Sequence, residues 1–175
     1  MTDDQYASER GDPPNAQCGT YTLLFDAYYL KLLDAGKVIQ AWHARSGKKI
    51  GGVFDYSPAR QKVVKQGPIP EGSYWIQPSE LDTSFWGPAR AWGNARITIH
   101  PRPKTVTHGR GGFFIHGGET FGSAGCIDLA YGMDSFAALL TSKIAPPTGR
   151  WPWSAPNECH VPLTVEYAVL TLGDP

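Results

Sequence analysis

The chain has 175 residues, with 16 basic and 16 acidic side chains and a formal net charge of zero. That length fits one domain with a real core, and the charge balance excludes the basic excess of a typical nucleic-acid binder. Scattered among the rest are 20 Gly and 15 Pro, with 12% aromatic residues; this profile excludes a helical bundle and describes a turn-rich β domain, and no apolar run approaches a membrane span.

Residues 1–14 are polar, with Asp3, Asp4, Glu9, Arg10 and Asp12, and lack the basic start and apolar centre of a secretory signal. The expectation is a chain synthesised in the cytoplasm, with residues 1–18 as a flexible arm before a single domain over 19–175. Residues 20–25 predict a first strand. Residues 28–33 and 37–44, separated by Asp34-Ala35-Gly36, predict a β-hairpin in which Val38, Gln40 and Trp42 alternate with Ile39, Ala41 and His43. Residues 45–52, basic and glycine-containing, read as a solvated loop. Residues 67–76 (Gly-Pro-Ile-Pro-Glu-Gly-Ser-Tyr-Trp-Ile) read as a proline-punctuated turn feeding a strand.

Residues 85–92 are aromatic, and Trp86 and Trp92 serve either as a rim that stacks on substrate or as core. Residues 96–100 predict another strand. The basic loop 101–112 holds Arg102, Lys104, His108 and Arg110. It reads either as a solvated connection or as a site where forked Arg contacts hold a substrate carboxylate. Residues 134–142 predict the one clear helix, with Asp134 as candidate N-cap and Pro146 and Pro147 as its end. An irregular connection holding Trp151 and Trp153 leads to a final strand over 161–172, with Pro162 marking its edge or start.

The chemistry concentrates in residues 113–129. Phe113, Phe114 and Ile115 form a short strand-like run stopped by Gly117 and Gly118, which puts His116 at a strand end. Cys126 follows Gly122, Ser123, Ala124 and Gly125, small residues that admit a substrate backbone, and Ile127 and Leu129 anchor its far side. A thiol attacks as thiolate, and an imidazole can take its proton. Taken singly, a cysteine is commonly a small buried hydrophobe, a strand-end histidine structural, and a glycine run a turn. Their coincidence in one segment favours thiol acyl transfer.

Ile115-His116-Gly117 followed by Gly122-Ser123-Ala124-Gly125-Cys126-Ile127 resembles the signature of L,D-transpeptidases (YkuD-type). In that family a first His is followed, after a spacer, by Ser/Thr-His-Gly-Cys, an apolar residue and Asn or Arg. Here the spacer is shorter, Ala124 stands at the second His and Asp128 at the Asn or Arg. These departures resemble a narrower branch, the L,D-transpeptidase-like antibacterial effectors delivered by type VI secretion. Residues 67–76 are similar to the family's Thr-Pro-x-Gly-x-Tyr/Phe-x-Ile segment, so the likeness covers roughly residues 21–140.

The resemblance implies a mainly β fold, a sandwich or partly closed barrel with one or two short helices. Cys126 is the expected nucleophile and His116 its base, oriented by the Gly117 carbonyl, with backbone N–H groups of Gly125 and Cys126 as oxyanion donors. Ser123, Arg102, Arg110 and Trp92 are expected substrate contacts; for Ser123 a local turn role is the alternative. No metal or cofactor is expected. The implied substrate is the peptidoglycan tetrapeptide stem, with release of its terminal D-Ala (L,D-carboxypeptidase) or exchange for another D-amino acid. The expected partners are an immunity protein and type VI secretion components, and the expected place of action is the target periplasm.

The rival readings are a housekeeping cross-linking enzyme, a papain-like amidase (whose Cys precedes its His), a zinc hydrolase using His100, His108, His116 and Cys126, and a non-enzymatic wall-binding module. Three cysteines leave one odd. Either Cys18 and Cys159 pair in an oxidising compartment, leaving Cys126 free, or all three are thiols.

Overall fold

The computed structural model describes residues 10–83, 93–151, 153–155 and 157–167. Among them the strands are, in chain order, β1 (Tyr21–Phe25), β2 (Tyr29–Asp34), β3 (Lys37–His43), β4 (Arg45–Ser46), β5 (Gly72–Ile76), β6 (Arg96–Thr98), β7 (His100–Pro101), β8 (Phe114–His116), β9 (Ile127–Asp128) and β10 (Val161–Val165). They form a six-stranded sheet ordered β3-β2-β1-β10-β5-β7 and a four-stranded sheet ordered β4-β9-β8-β6. Helix is confined to short pieces. These are α1 (Pro58–Gln61), α2 (Met133–Leu139) running into a π-helical turn (Leu140–Ile144), and 3-10 turns at Pro78–Glu80 and Ala130–Gly132. The mainly β expectation holds.

The two sheets share corners. Buried Ala44 separates β3 from β4, and buried Ile99 separates β6 from β7. The chain therefore passes from an edge of one sheet to an edge of the other at two places, a single residue at each. Both sheets close on one core. Leu23, Phe25, Leu30 and Leu32 enter it from the large sheet, and Ile97, Ile115 and Ile127 from the small one. The Ile99 corner splits the strand expected over 96–100. Ile99 donates its N–H to Phe113 O (2.9 Å), in the register of the β6–β8 pair, before the chain passes into the large sheet as β7.

The hairpin forms as expected, turning through left-handed Ala35 and Gly36 (φ 49° and 80°). Its second arm departs from simple alternation. Leu32 pairs with Gln40 and Leu33 with Val38, so Ile39 is the extra residue of a bulge. Trp42 alone of β3 is buried, packing edge-on against Phe136 with ring centroids 5.2 Å apart and donating to Ser135 Oγ (2.6 Å). That seats α2 against the large sheet. The helix begins a residue earlier than expected. Gly132 caps it and Asp134 lies in the first turn.

Three further expectations are corrected. Arg45 and Ser46 are not a solvated loop, because they pair with Asp128 and Ile127 as β4. Pro162 lies in an interior strand, between β1 and β5. Pairing to β1 begins only at Leu163, so the missing Pro162 N–H costs no ladder bond on that side. Residues 10–18 are pinned. Arg10 donates to Thr105 O and Thr107 Oγ1 (both 2.6 Å), Gly11 N–H to Pro101 O (3.1 Å), and Trp75 Nε1 to Gly11 O (2.9 Å). Composition had suggested a free arm, but hydrogen bonding to the β5–β7 edge and one covalent link hold this part of it.

That link is a Cys18–Cys159 disulfide across a sequence separation of 141 residues, with a Cα–Cα distance of 5.0 Å. It settles the choice between pairing and three thiols. Closing so long a loop restricts the unfolded chain. The double variant Cys18→Ser/Cys159→Ser should unfold about 2–5 kcal/mol more easily, measured by thermal denaturation, with reductant reproducing the loss in the parent protein and leaving the variant unchanged.

Candidate active site

Register in the small sheet sorts its residues into two rows. Ser46, Ile127, Ile115 and Ile97 align across the four strands, and so do Arg45, Asp128, His116 and Arg96. Strand alternation puts the rows on opposite faces. The three isoleucines are fully buried in the core; the other row carries the polar groups. Cys126 lies one step before β9. It falls on the face of His116 and Asp128, two residues behind Asp128, beside Phe114 on β8. Parallel pairing of two short strands thus brings together residues ten apart in sequence.

His116 is buried, and its Nδ1 lies 2.7 Å from Gly117 O. A carbonyl only accepts, so Nδ1 carries the proton and Nε2 is the basic nitrogen. Burial lowers the His116 pKa, the Gly117 bond opposing it, which keeps the ring neutral near pH 7. Cys126 is 4% exposed and the free thiol among the described residues. Its sulfur lies 3.9 Å from Gly112 O. Burial pushes this thiol up to about 12; the Phe114 N–H opposes the shift, Asp128 adds to it, and Arg96 and Arg110 oppose it. Removal from water dominates, so the thiol rests neutral.

Arg110 does not face a substrate carboxylate. It is buried, with Nη1 donating to Gln61 O (2.5 Å) and Pro68 O (2.6 Å) and Nη2 to Gly67 O (2.9 Å) and Ala124 O (3.4 Å). Its fork therefore ties the loop after α1 to the turn before Cys126. Gly125 makes room for it. A Cβ there would lie 2.5 Å from Arg110 Nη2, and the backbone φ of 123° disfavours any other residue. The Gly125 N–H is 3.4 Å from Ser123 Oγ, and Ser123 Oγ itself donates to Cys126 O (2.7 Å). Ser123 thus takes the local turn role.

Arg102 sits apart from Cys126. It pairs with Asp12 (3.5 Å) and lines a cleft of about 560 Å³ with Glu71, Ser73, Lys104 and Thr105. None of the other predicted site residues lines that cleft, so size alone does not locate the chemistry. Two smaller clefts of about 230 and 410 Å³ share Glu119, Ala130 and Tyr131. The first opens at Gly117 and Gly118, directly after His116, and the second is walled by Trp42, Phe121 and Leu129. Trp92 lies outside the described residues, as does all of the aromatic stretch 85–92. His100 bonds Glu80 (2.7 Å) and stacks on Trp75, and exposed His108 occupies a turn, so neither joins His116. Among the described residues no group of three or more His, Cys, Asp or Glu has metal-binding geometry.

Sequence reasoning missed two contributors. Arg96 is the neighbour of His116 across β6–β8, lies over the Phe114 ring (4.9 Å) and lowers the Cys126 pKa. Asp128, noted only as a departure from a motif, is fully buried and accepts N–H bonds from Gly122 (3.1 Å) and Ala130 (2.8 Å).

Two sheets with a cysteine and a histidine on neighbouring strands of the smaller one define an L,D-transpeptidase-like fold. A protein from Bdellovibrio bacteriovorus, Bd1075, superposes with a TM-score of 0.52 at 16% identity, covering 85% of this chain and 48% of that one. An L,D-transpeptidase from Xylanimonas cellulosilytica gives 0.41 at 17% identity over 87% and 62% of the two chains, and LdtMt1 in complex with imipenem gives 0.44 at 15% over 83% and 58%. The chain spans about half the length of the Bdellovibrio protein. No curated protein sequence matches significantly. Residues 41–143 match the Tlde1 domain, and the chain belongs to that family, the L,D-transpeptidase effector family of type VI secretion.

Two measurements test this geometry. In the folded protein Cys126 should react with iodoacetamide at least about ten-fold more slowly than in urea-unfolded protein, because a buried neutral thiol is a poor nucleophile. Gly125→Ala should destabilise by about 1–3 kcal/mol through strain at a positive φ and collision with Arg110, read by thermal unfolding.

Proposed function

We propose that the protein is a cysteine-dependent acyltransferase that removes or exchanges the terminal D-Ala of peptidoglycan tetrapeptide stems. The observation that carries this reading is the placement of Cys126 and His116 on one face of neighbouring strands, with His116 Nδ1 committed to Gly117 O. Nε2 then takes the Cys126 proton as the sulfur attacks the carbonyl preceding D-Ala. The tetrahedral intermediate collapses, D-Ala leaves as the amine with the proton returned by the imidazolium, and a thioester remains. Water resolving the thioester regenerates the thiol and completes carboxypeptidase action, whereas a D-amino acid completes exchange. Donors near the developing oxyanion contribute about 3 kcal/mol each in such sites; the Cys126 N–H is the candidate here.

The resting thiol is protonated, so attack requires the proton transfer to accompany or precede it. Positive charge from Arg96 and Arg110 favours the thiolate once formed. A disulfide between Cys18 and Cys159 supports action in an oxidising compartment, as expected for the periplasm of a target cell. In that setting the producer is protected by compartment and by an immunity protein that occludes Cys126.

Mass spectrometry of muropeptides incubated with the protein should show loss of one alanine residue from tetrapeptide stems. Cys126→Ala and His116→Ala should each lose turnover by several orders of magnitude, since nucleophile and base act as one unit, while unfolding cooperatively. Near-normal turnover in either variant would remove the assignment. In a Gram-negative host, fusion to an export signal should cause swelling or lysis that Cys126→Ala abolishes. Cytoplasmic expression should be tolerated, and equal toxicity in both compartments would redirect the search to a cytosolic target.

A further inference from the structure

Asp128 is a fully buried carboxylate in the middle of the small sheet, flanked in register by His116 on β8 and Arg45 on β4. Its two oxygens are spent separately. Oδ2 accepts from the Gly122 N–H, upstream of Cys126, and Oδ1 from the Ala130 N–H, downstream of it. Immediately alongside, Leu129 N–H donates to His116 O (2.9 Å), locking the exit of β9 to the catalytic strand. The connection over residues 117–125 contains Gly117, Gly118, Gly122 and Gly125, and such a segment has many conformations to lose on ordering. Only a side chain with two acceptors satisfies both N–H groups. An amide in its place would set an NH₂ against one of them.

We infer that Asp128 is a positioning residue whose carboxylate latches the backbone on both sides of Cys126 to the strand register and so sets the alignment of Cys126 with His116. The inference rests on the reading of these two residues as the reacting pair. Arg45 does not neutralise the latch, because its guanidinium turns to the Tyr28 and Phe121 rings (5.3 and 5.5 Å) and donates to Tyr28 O and Ala44 O. The other titratable neighbours are His116 across the strand and Cys126 on the same strand.

Burial raises the Asp128 carboxyl to about 6, its two N–H bonds opposing the shift. A raised carboxyl pKa means that this group's contribution to stability is complete below the unfolded value near 3.8 and is lost as pH rises through about 6. At neutral pH the folded state therefore holds the charge at a cost.

The test compares parent protein with Asp128→Asn by hydrogen exchange, thermal unfolding and muropeptide turnover. Asn keeps one acceptor, so either Gly122 or Ala130 should lose protection at least about ten-fold while thermal stability at neutral pH stays equal or rises, and kcat should fall about 100-fold with KM within a few-fold, the cost of misplacing a reacting group. In the parent protein alone, Gly122 protection corrected for intrinsic exchange should drop between about pH 7.5 and pH 5 as the carboxyl gains a proton. That arm needs neither substrate nor a folded variant. Unchanged protection of both Gly122 and Ala130 in the variant, or a flat Gly122 profile in the parent, overturns the latch. Loss of the latch signature with no muropeptide conversion by the parent would leave Asp128 as assigned and sink the peptidoglycan reading instead.

Discussion

Four backbone carbonyls converge on the two terminal nitrogens of Arg110, and the rest of the site depends on that convergence. Gln61 closes α1, Gly67 and Pro68 belong to the connection after it, and Ala124 belongs to the turn that delivers Cys126. Carbonyls at the ends of short helices and in tight turns have no intrinsic partner. A cation with a planar fork can satisfy several at once, and a point-charge ammonium cannot do so with the same geometry. The cost is a buried charge, whose tendency to ionise is lowered by burial. Carbonyl dipoles compensate without requiring a counter-carboxylate, so no acid needs to stand near Cys126 to balance Arg110. Gly125 completes the arrangement by leaving vacant the volume its side chain would take from the guanidinium.

What was legible beforehand follows from how local each signal is. His116 and Cys126 stood out because an apolar strand run, two glycine stops and a small-residue turn are written within one short segment. The hairpin was visible for the same reason. Arg110 was misread because its partners lie at positions 61, 67, 68 and 124, and nothing in a basic loop distinguishes a buried fork from a solvated one. Arg45 and Ser46 form a strand too short to have a period. Ile99 reads as the middle of a strand because a buried corner needs the same apolar residue as a ladder. Cys18 and Cys159 are brought together only by β10 entering the sheet beside β1.

The electrostatics of the small sheet follow from its two rows. Isoleucines on one face exclude water from the strands, and this lifts Asp128, lowers His116 and lifts Cys126 through the same loss of hydration. All three shifts favour the neutral form. Near pH 7 His116 and Cys126 are therefore neutral and Asp128 carries its charge at a cost, with Arg45 and Arg96 at the more exposed ends of the row. Charge that appears during reaction appears in a poorly solvated setting, where a fixed dipole or a nearby guanidinium interacts more strongly than it does in water.

The parallel pairing of β1 with β10 has a consequence for how the chain comes to be folded. β10 lies between β1 and β5, so the large sheet has no continuous middle until residues 161–165 are available. A ribosome must release the chain through residue 165 before that gap can fill. Until then the hairpin of β1 and β2 exposes the edge of Leu23, Leu24 and Phe25 that β10 will occupy. Contacts of such sequence separation form late and slowly, and an unpaired apolar edge invites association with other chains in the interval. The nascent domain is consequently at its most vulnerable just before β10 emerges, with most of its core in place and an open seam through its larger sheet.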